Sequence, residues 1–229
     1  MNRFWDKIIQ PIVEKNSAKH IVEIGCASGV NTKKILRFGE KKYIKLSAID
    51  PKPLFNTNDL KVHYKDRFDF YKDISLNALP LLKDYDIVLI DGDHNWYTVY
   101  NELKLIEKSS VNKTFPIVFL HDVAWPYARR DLYYNPENIP KKFRHPYKKA
   151  GMKEGHSDLL KKGGLNAKLN NAIYEGNQRN GVLTAVEDFL KETKYDLSFQ
   201  MTKKCRGLGI IYPKSKDLDV SIKNLLSSF

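Results

Sequence analysis

The sequence predicts a doubly wound α/β fold: a mostly parallel sheet with one antiparallel edge strand and a long insert after the fifth strand. Three observations carry that expectation. Short β-branched or aromatic runs recur at 20–25, 43–49, 68–72, 85–90 and 116–120, bounded by polar turns. A loop with Gly25 and Gly29 follows the first run and leads into a helical pattern from Val30 to Phe38. Asp50 closes the second run, at the strand end where such sheets take nucleotide-type ligands.

The elements follow in order. Phe4-Trp5, Ile8-Ile9 and Ile12-Val13 recur at helical spacing and predict an amphipathic helix ahead of the first strand. Residues 60–66 fit either a short strand or a loop. Trp96, Val99, Tyr100, Leu103 and Ile106 mark one face of a helix between the fourth and fifth runs. Strand and helix alternate with short links, which implies parallel crossovers. After His121-Asp122 the rhythm stops, and residues 123–179 collect prolines, tyrosines, arginines, glycines and asparagines. A stretch of that length inside one domain reads as a lid or acceptor-binding insert. Val182, Ala185, Val186, Phe189 and Leu190 then resume a helical stripe. Strands near 195–201 and 207–212 follow, close enough in sequence to be antiparallel neighbours at one edge.

Composition bounds the reading. The 229 residues suit one domain spanning 1–229, and 42% hydrophobic residues can build a sizeable core. The opening Met-Asn-Arg-Phe-Trp lacks a signal-peptide pattern, and no run approaches a membrane span. Two cysteines, Cys26 and Cys205, give neither a disulfide framework nor metal spacing, so a cytoplasmic location is expected. The net charge of +12 invites a nucleic-acid reading. The lysines are scattered, however, through Lys33, Lys34, Lys41, Lys42, Lys72, Lys83, Lys113 and Lys203, with no nucleic-acid motif beside them. A solvated basic surface and attraction to an anionic partner both remain open.

The loop chemistry narrows the ligand. Gly25 lets backbone approach a ligand, small Ala27 and Gly29 keep the loop open, and the next helix offers free amides. Glu23 sits inside an apolar strand just before the loop. An acid there repels phosphate and suits a cationic amino-acid group, while Asp50 can accept both hydroxyls of a ribose. The Gly-x-Gly-x-x-Gly spacing of a dinucleotide site is absent.

Val22-Glu-Ile-Gly-Cys-Ala-Ser-Gly29 resembles the first motif of the class I S-adenosylmethionine-dependent methyltransferases, and Ala48-Ile-Asp50 resembles their second. Lys72-Asp-Ile-Ser75, Leu79-Pro80 and Tyr85-Asp-Ile-Val-Leu-Ile-Asp-Gly-Asp-His94 are similar to the later part of that Rossmann-like sheet. The resemblance spans about residues 20–123 and 180–212. It implies S-adenosylmethionine as cofactor, with Ile74 packed on adenine and Ser75 at its polar edge. Glu23 would face the methionine amine region and Asp50 the ribose.

The fourth and fifth strands end in Asp91 and His121-Asp122, and neighbouring strands lie about 4.8 Å apart, so these groups face one crevice. His94 overlooks the same crevice and is a candidate base. Asp91, His121 and Asp122 could hold Mg or another divalent ion, although Asp91 could instead serve the cofactor through its backbone. His121 could also be a satisfied buried histidine, Asp93 a helix cap, and Trp96 and Tyr97 packing or pocket wall. The Asp-Gly-Asp-His segment with a polar pair after the fifth strand is similar to metal-dependent O-methyltransferases of catechols and sugars. Those families carry Asp-Asp or Asp-Asn in the pair, where this chain has His121-Asp122.

Trp125-Pro-Tyr-Ala-Arg-Arg-Asp-Leu-Tyr-Tyr134 is placed to edge the acceptor pocket. Its aromatic faces suit sugar rings, and its arginines could hold a phosphate or carboxylate. Gly164-Leu-Asn166, Asn170-Asn171 and residues 175–180 are rich in amides that either support loops or bind ligand. The run from His121 through Tyr134, with residues 180–188, resembles bacterial methyltransferases that accompany glycosyltransferases in polysaccharide or natural-product pathways. The expected reaction is therefore O-methylation of a sugar or glycoconjugate, with a small-molecule or glycan acceptor. Alternatives are an RNA or protein methyltransferase, a methyltransferase of small catechol-like aromatics, a non-catalytic cofactor-binding scaffold, and a hydroxylase-like relative. A homo-oligomer is also open.

Overall fold

The computed structural model describes residues 1–229. The chain opens with a helical turn α1 (Asn2–Phe4), a π-helical stretch Trp5–Ile9 and α2 (Gln10–Lys15). Strands β1 (His20–Ile24), β2 (Lys45–Ile49), β3 (Phe68–Tyr71), β4 (Ile87–Ile90) and β5 (Ile117–His121) then alternate with helices α3 (Val30–Glu40), α4 (Thr57–Tyr64), α5 (Ser75–Ala78) and α6 (Trp96–Ser109). After β5 come β6 (Leu132–Tyr133), β7 (Tyr147–Lys149), β8 (Asn170–Ala172), α7 (Val182–Glu192), β9 (Leu197–Thr202), β10 (Leu208–Pro213) and α8 (Lys216–Ser228).

The main sheet has seven strands in the order β3-β2-β1-β4-β5-β10-β9. The first five pair in parallel. β10 runs antiparallel to β5 on one side and to the edge strand β9 on the other. Alternate side chains serve opposite faces. Ile87 and Leu89 of β4, with Ile117 and Phe119 of β5, join a core of 25 buried residues under the N-terminal helices, α3 and α8. Val88, Ile90, Val118 and Leu120 join a core of 22 under α5, α6 and α7. Two cores of similar size mean that both faces are covered, which is why these strands read as unbroken apolar runs.

Three segments depart from the sequence reading. Residues 60–66 are neither strand nor loop: α4 covers Thr57–Tyr64, capped by Asn56 Oδ1, which accepts from the Asn58 amide at 3.0 Å. Leu60 and Tyr64 bury one side of it, too few apolar positions to display a helical period. The C-terminal helix α8 was not anticipated; Ile222 anchors it, with Leu218, Leu225 and Leu226 partly buried beside it.

The insert is also more ordered than its composition suggests. β8 pairs antiparallel with β6 and β7 in a separate three-stranded sheet. Buried polar side chains hold it. Asp131 accepts from the amides of Trp96 at 2.7 Å and Gly181 at 2.6 Å and from the Tyr133 hydroxyl at 2.8 Å, while its own amide donates to Asn180 Oδ1. Asn171, fully buried, donates to the carbonyls of Ala150 and Asn166. The amides at 166, 171 and 180 thus support loops.

Candidate functional site

The tip of β1 fixes the geometry. Gly25 adopts φ +83°, and a Cβ there would stand 2.3 Å from the Asp91 carbonyl oxygen. Only glycine lets the ends of β1 and β4 abut in this way. Gly29 starts α3 at φ +73°, pressed beneath the Phe55 ring. Asp50 locks the loop between them: its Oδ2 accepts from the amides of Cys26 at 2.8 Å and Ala27 at 2.9 Å, and its Oδ1 from Lys52 at 2.7 Å. Three of about four lone-pair positions on Asp50 are thereby filled, so it shapes the loop as well as facing the ligand space.

A cavity of about 690 Å³ opens at these strand ends. Of the cofactor residues expected from sequence, Gly25, Ala27, Asp50, Ile74, Ser75 and Asp91 line it. Glu23 and Gly29 do not. Glu23 is sealed one layer behind, its carboxylate accepting from Asn31 Nδ2 at 2.8 Å and Thr32 Oγ1 at 2.6 Å, so it ties β1 to the first turn of α3. Burial pushes its pKa up to about 7, against the pull of those two donors. Gly29 serves the backbone turn.

Sequence reasoning missed Thr98 and Asp93 in the cavity wall, and it did not place Tyr134, Asn135 and Asn138 there. The last three come from the insert, so the insert roofs this cavity. Asp93 is not the cap of α6. Asn95 is, with Oδ1 accepting from the Thr98 amide at 2.8 Å, while Asp93 accepts from Thr98 Oγ1 at 3.2 Å. Trp96 packs, stacked on Tyr100 with its indole bonded to Asp188.

Beside the cavity lies the second cluster. Asp91 ends the β4 side, and His121 Nδ1 lies 3.1 Å from Asp91 Oδ1 and 2.9 Å from Asp122 Oδ2. His94 Nε2 stands 3.5 Å from the same Asp122 oxygen, and its ring stacks on Tyr127 with centroids 5.6 Å apart. All four side chains expected at the crevice therefore meet. Burial works against charge on His121, but the Asp122 and Asp91 carboxylates outweigh it and hold its pKa up at about 9. Burial likewise opposes ionisation of Asp91 and Asp122, yet the histidines beside them keep both below the usual carboxylate range. The Met1 amine also reaches Asp91, at 2.5 Å, and the Phe4 ring meets His121 edge-on, so residues 1–4 close the far side of the crevice.

The donor set fits a divalent ion. One ligand atom each from Asp91, His121 and Asp122 lies within 4.8 Å of the others. Asp122 Oδ1 is buried without a hydrogen-bond partner, and Asp122 holds φ +59° to place its side chain there. His121 Nε2 bonds the Cys205 carbonyl at 3.2 Å, so Nδ1 is the nitrogen that would face such an ion.

The insert arginines are not available to an anion, contrary to the sequence expectation. Arg129 makes a two-pronged pair with Glu187 at 2.5 and 2.6 Å. Arg130 is almost fully buried and donates to the carbonyls of Ala172, Ile173 and Ser157 and to Glu175. Both guanidinium groups are consumed in holding the insert's fold.

Residues 22–123 match the family described as a methyltransferase domain. No curated protein matches the chain. Among solved structures, the SAH-bound methyltransferase PaMTH1 of Podospora anserina superposes with a TM-score of 0.55 at 16% identity, over 89% of this chain and 75% of that one. A Staphylococcus aureus protein described as a candidate caffeoyl-CoA O-methyltransferase gives 0.50 at 14% identity, over 90% and 81%. No helix is long and apolar enough to cross a membrane. Residues 22–123 match the methyltransferase-domain family, and the fold is the one these solved methyltransferases share.

Proposed function

We propose that the chain transfers the methyl group of S-adenosylmethionine to a hydroxyl oxygen of a sugar or glycoconjugate. One observation carries the reading: Asp91 lines the cofactor cavity and also touches His121, so the donor cavity and the proton-accepting crevice share a wall. In this reading the cofactor lies along Gly25 and Ala27, with its ribose at Asp50 and its base between Ile74 and Ser75. Its sulfonium end then points toward His94.

Methyl transfer is an in-line displacement. The acceptor oxygen forms a bond to the methyl carbon as the carbon–sulfur bond breaks, and S-adenosylhomocysteine departs. The acceptor proton passes to His94, whose ring is held flat by Tyr127 and whose charge, once protonated, is stabilised by Asp122. Asp91, His121 and Asp122 would hold a Mg- or Mn-type ion. When bound, such an ion lowers the pKa of the acceptor hydroxyl and fixes its oxygen.

Tyr134 supports a sugar acceptor. It is 55% exposed, lines the cavity rim with Asn135 and Asn138, and lies 6.0 Å from the His94 ring. An aromatic face beside amide groups suits a hydroxylated ring. The test is transfer of labelled methyl to oligosaccharides, a catechol and RNA, with and without a chelator. Labelling of a glycan hydroxyl that His94→Ala abolishes is expected. Transfer confined to RNA or to the catechol overturns the acceptor, and absence of cofactor binding overturns the whole reading.

A further inference from the structure

The excess positive charge of the chain is gathered in the insert. Residues 141–168 hold eight lysines and Arg144 against two acids, Glu154 and Asp158, which is +7 of the total +12. The insert's ion pairs engage only Arg129, Arg130 and Arg144, with Glu187, Glu175 and Glu137. All eight lysines are exposed, and none has an acidic partner. The fold gathers several of them. Gly151 crosses Gly163 so closely that a Cβ on Gly151 would strike the Gly163 carbonyl oxygen. Lys148 and Lys149 lead into one side of that crossing, and Lys161 and Lys162 into the other. A surface charged only for solubility gains nothing from like charges set close, because they repel.

The same charge continues to the cavity. Arg144 Nη1 donates to the Pro136 carbonyl at 3.1 Å, which sets the head of this segment beside Asn135 and Asn138 on the rim. Phe143 packs on Tyr97, the neighbour of Thr98 in the cavity wall, with ring centroids 5.1 Å apart. Two cations stand over the Phe143 ring, Lys142 at 5.0 Å and Arg179 at 5.5 Å from its centroid. Arg179 also lies 5.3 Å from the Trp96 ring centroid. Its backbone is left-handed, φ +54°, and His145 Nε2 fixes it by donating to the Arg179 carbonyl at 2.9 Å. Unlike Arg129 and Arg130, Arg179 has no acidic partner.

We propose that this basic surface binds an anionic polysaccharide, one with a carboxylate or phosphate on its repeating unit, and that the methyl acceptor is a hydroxyl of that polymer. The inference rests on the sugar-acceptor reading above and deepens it. Lys142 and Arg179 take the acid group nearest the rim, and the lysines at the glycine crossing take acid groups further along the polymer, outside the cavity. Lysine suits that task, since a compact charge on a flexible stem follows groups whose spacing varies. Two other anionic partners fit less well. A bilayer surface calls for apolar side chains to insert, and none of the large exposed apolar residues lies within 141–168. A single-stranded nucleic acid calls for free aromatic faces, whereas Phe143 carries two cations and Tyr147 meets Tyr133 edge-on.

The test is binding of the full chain to labelled oligogalacturonate, phosphorylated dextran and unmodified dextran, with single-stranded RNA and phosphatidylserine vesicles as comparators. Wild type should bind an anionic glycan and not the neutral one, more weakly as salt rises. Which anionic glycan binds distinguishes carboxylate from phosphate recognition. Lys148→Ala, Lys149→Ala, Lys161→Ala and Lys162→Ala combined should weaken binding about twentyfold, as the loss of four exposed ion pairs would. Lys142→Ala with Arg179→Gln should weaken it about tenfold. Alanine at Lys41, Lys83, Lys194 and Lys216, exposed lysines outside the insert, should change it less than about twofold, which separates a local surface from net charge. In methyl transfer to the glycan that binds, both sets of insert variants should raise KM and leave kcat unchanged. Equal losses from the two sets of four lysines overturn the inference, as does neutral dextran that binds as tightly as its phosphorylated form. Methylation of a neutral glycan hydroxyl would then leave the sugar-acceptor reading standing. Binding confined to RNA or to vesicles, or to none of the probes, also overturns the inference, and if no glycan hydroxyl is methylated the acceptor reading falls with it.

Discussion

The imidazole of His94 lies flat on the ring of Tyr127, with 5° between their planes. Tyr127 is itself fixed at its hydroxyl, which accepts from Asn166 Nδ2 at 2.6 Å and donates to Asn171 Oδ1 at 3.1 Å. The candidate base is thus aimed by the insert. His94→Ala should lower turnover by about 10²–10⁴-fold while S-adenosylhomocysteine still binds. Tyr127→Phe keeps the stack and should keep turnover, at a stability loss of about 1–3 kcal/mol from the unpaired amides. Tyr127→Leu should lose turnover as well. Single-turnover rates alongside thermal melts separate the two effects. Equal turnover in all three variants would remove His94 from the chemistry.

Gly25→Ala tests the cofactor loop. Its left-handed backbone alone costs about 1–3 kcal/mol with a side chain, and the new Cβ collides with the Asp91 carbonyl. A lower melting temperature and loss of cofactor binding are expected together. A variant that melts and binds as wild type would mean that the two strand ends are not in contact.

Asp131→Ala strips the acceptor from two buried amides and one hydroxyl. A loss of about 3–5 kcal/mol is expected, with the insert cut first by protease, because Asp131 bonds the insert to both α6 and α7. Uniform destabilisation with no early cleavage inside residues 123–179 would argue that the insert is held elsewhere.

Stability should fall toward alkaline pH. The folded pKa of Glu102 lies near 8, above its unfolded value of about 4.3, so the folded chain binds the extra proton. Its contribution is complete below about pH 4 and is lost as pH rises through 8. Glu23, raised to about 7, adds with the same sign. Denaturant midpoints for Glu102→Gln should decline less than those for wild type between pH 6 and pH 9, by a margin on the order of a few kcal/mol. Parallel curves for the two proteins would place the titrating proton on another group.

The parts of the molecule that sequence reveals share a physical cause. β1, β2, β4 and β5 are buried on both faces, so each appears as an apolar run, and the groups at their ends converge because parallel strands finish on one side. Asp50, Asp91, His94, His121 and Asp122 were legible for that reason. The insert was not, because β6 has only two residues and its pairing depends on Arg130 and Asp131, polar side chains that sequence assigns to the surface. Glu23 was misplaced for a subtler reason: a strand's alternation names the face a side chain takes, and a polar partner on that face (here Asn31 and Thr32) is invisible until the helix is docked. Glu102 gave no hint at all, since an acid on an amphipathic helix normally points to water.

The Leu132 amide bonds the His94 carbonyl at 3.0 Å, one residue beyond the Asp131 clamp. Exchange of acceptor preference between relatives by loop grafting is therefore constrained here. The rim around Tyr134, Asn135 and Asn138 can be rewritten, but residues 130–133 and 180–181 must travel with their present partners. A graft that breaks them would reach a new substrate with a base that no longer points at it.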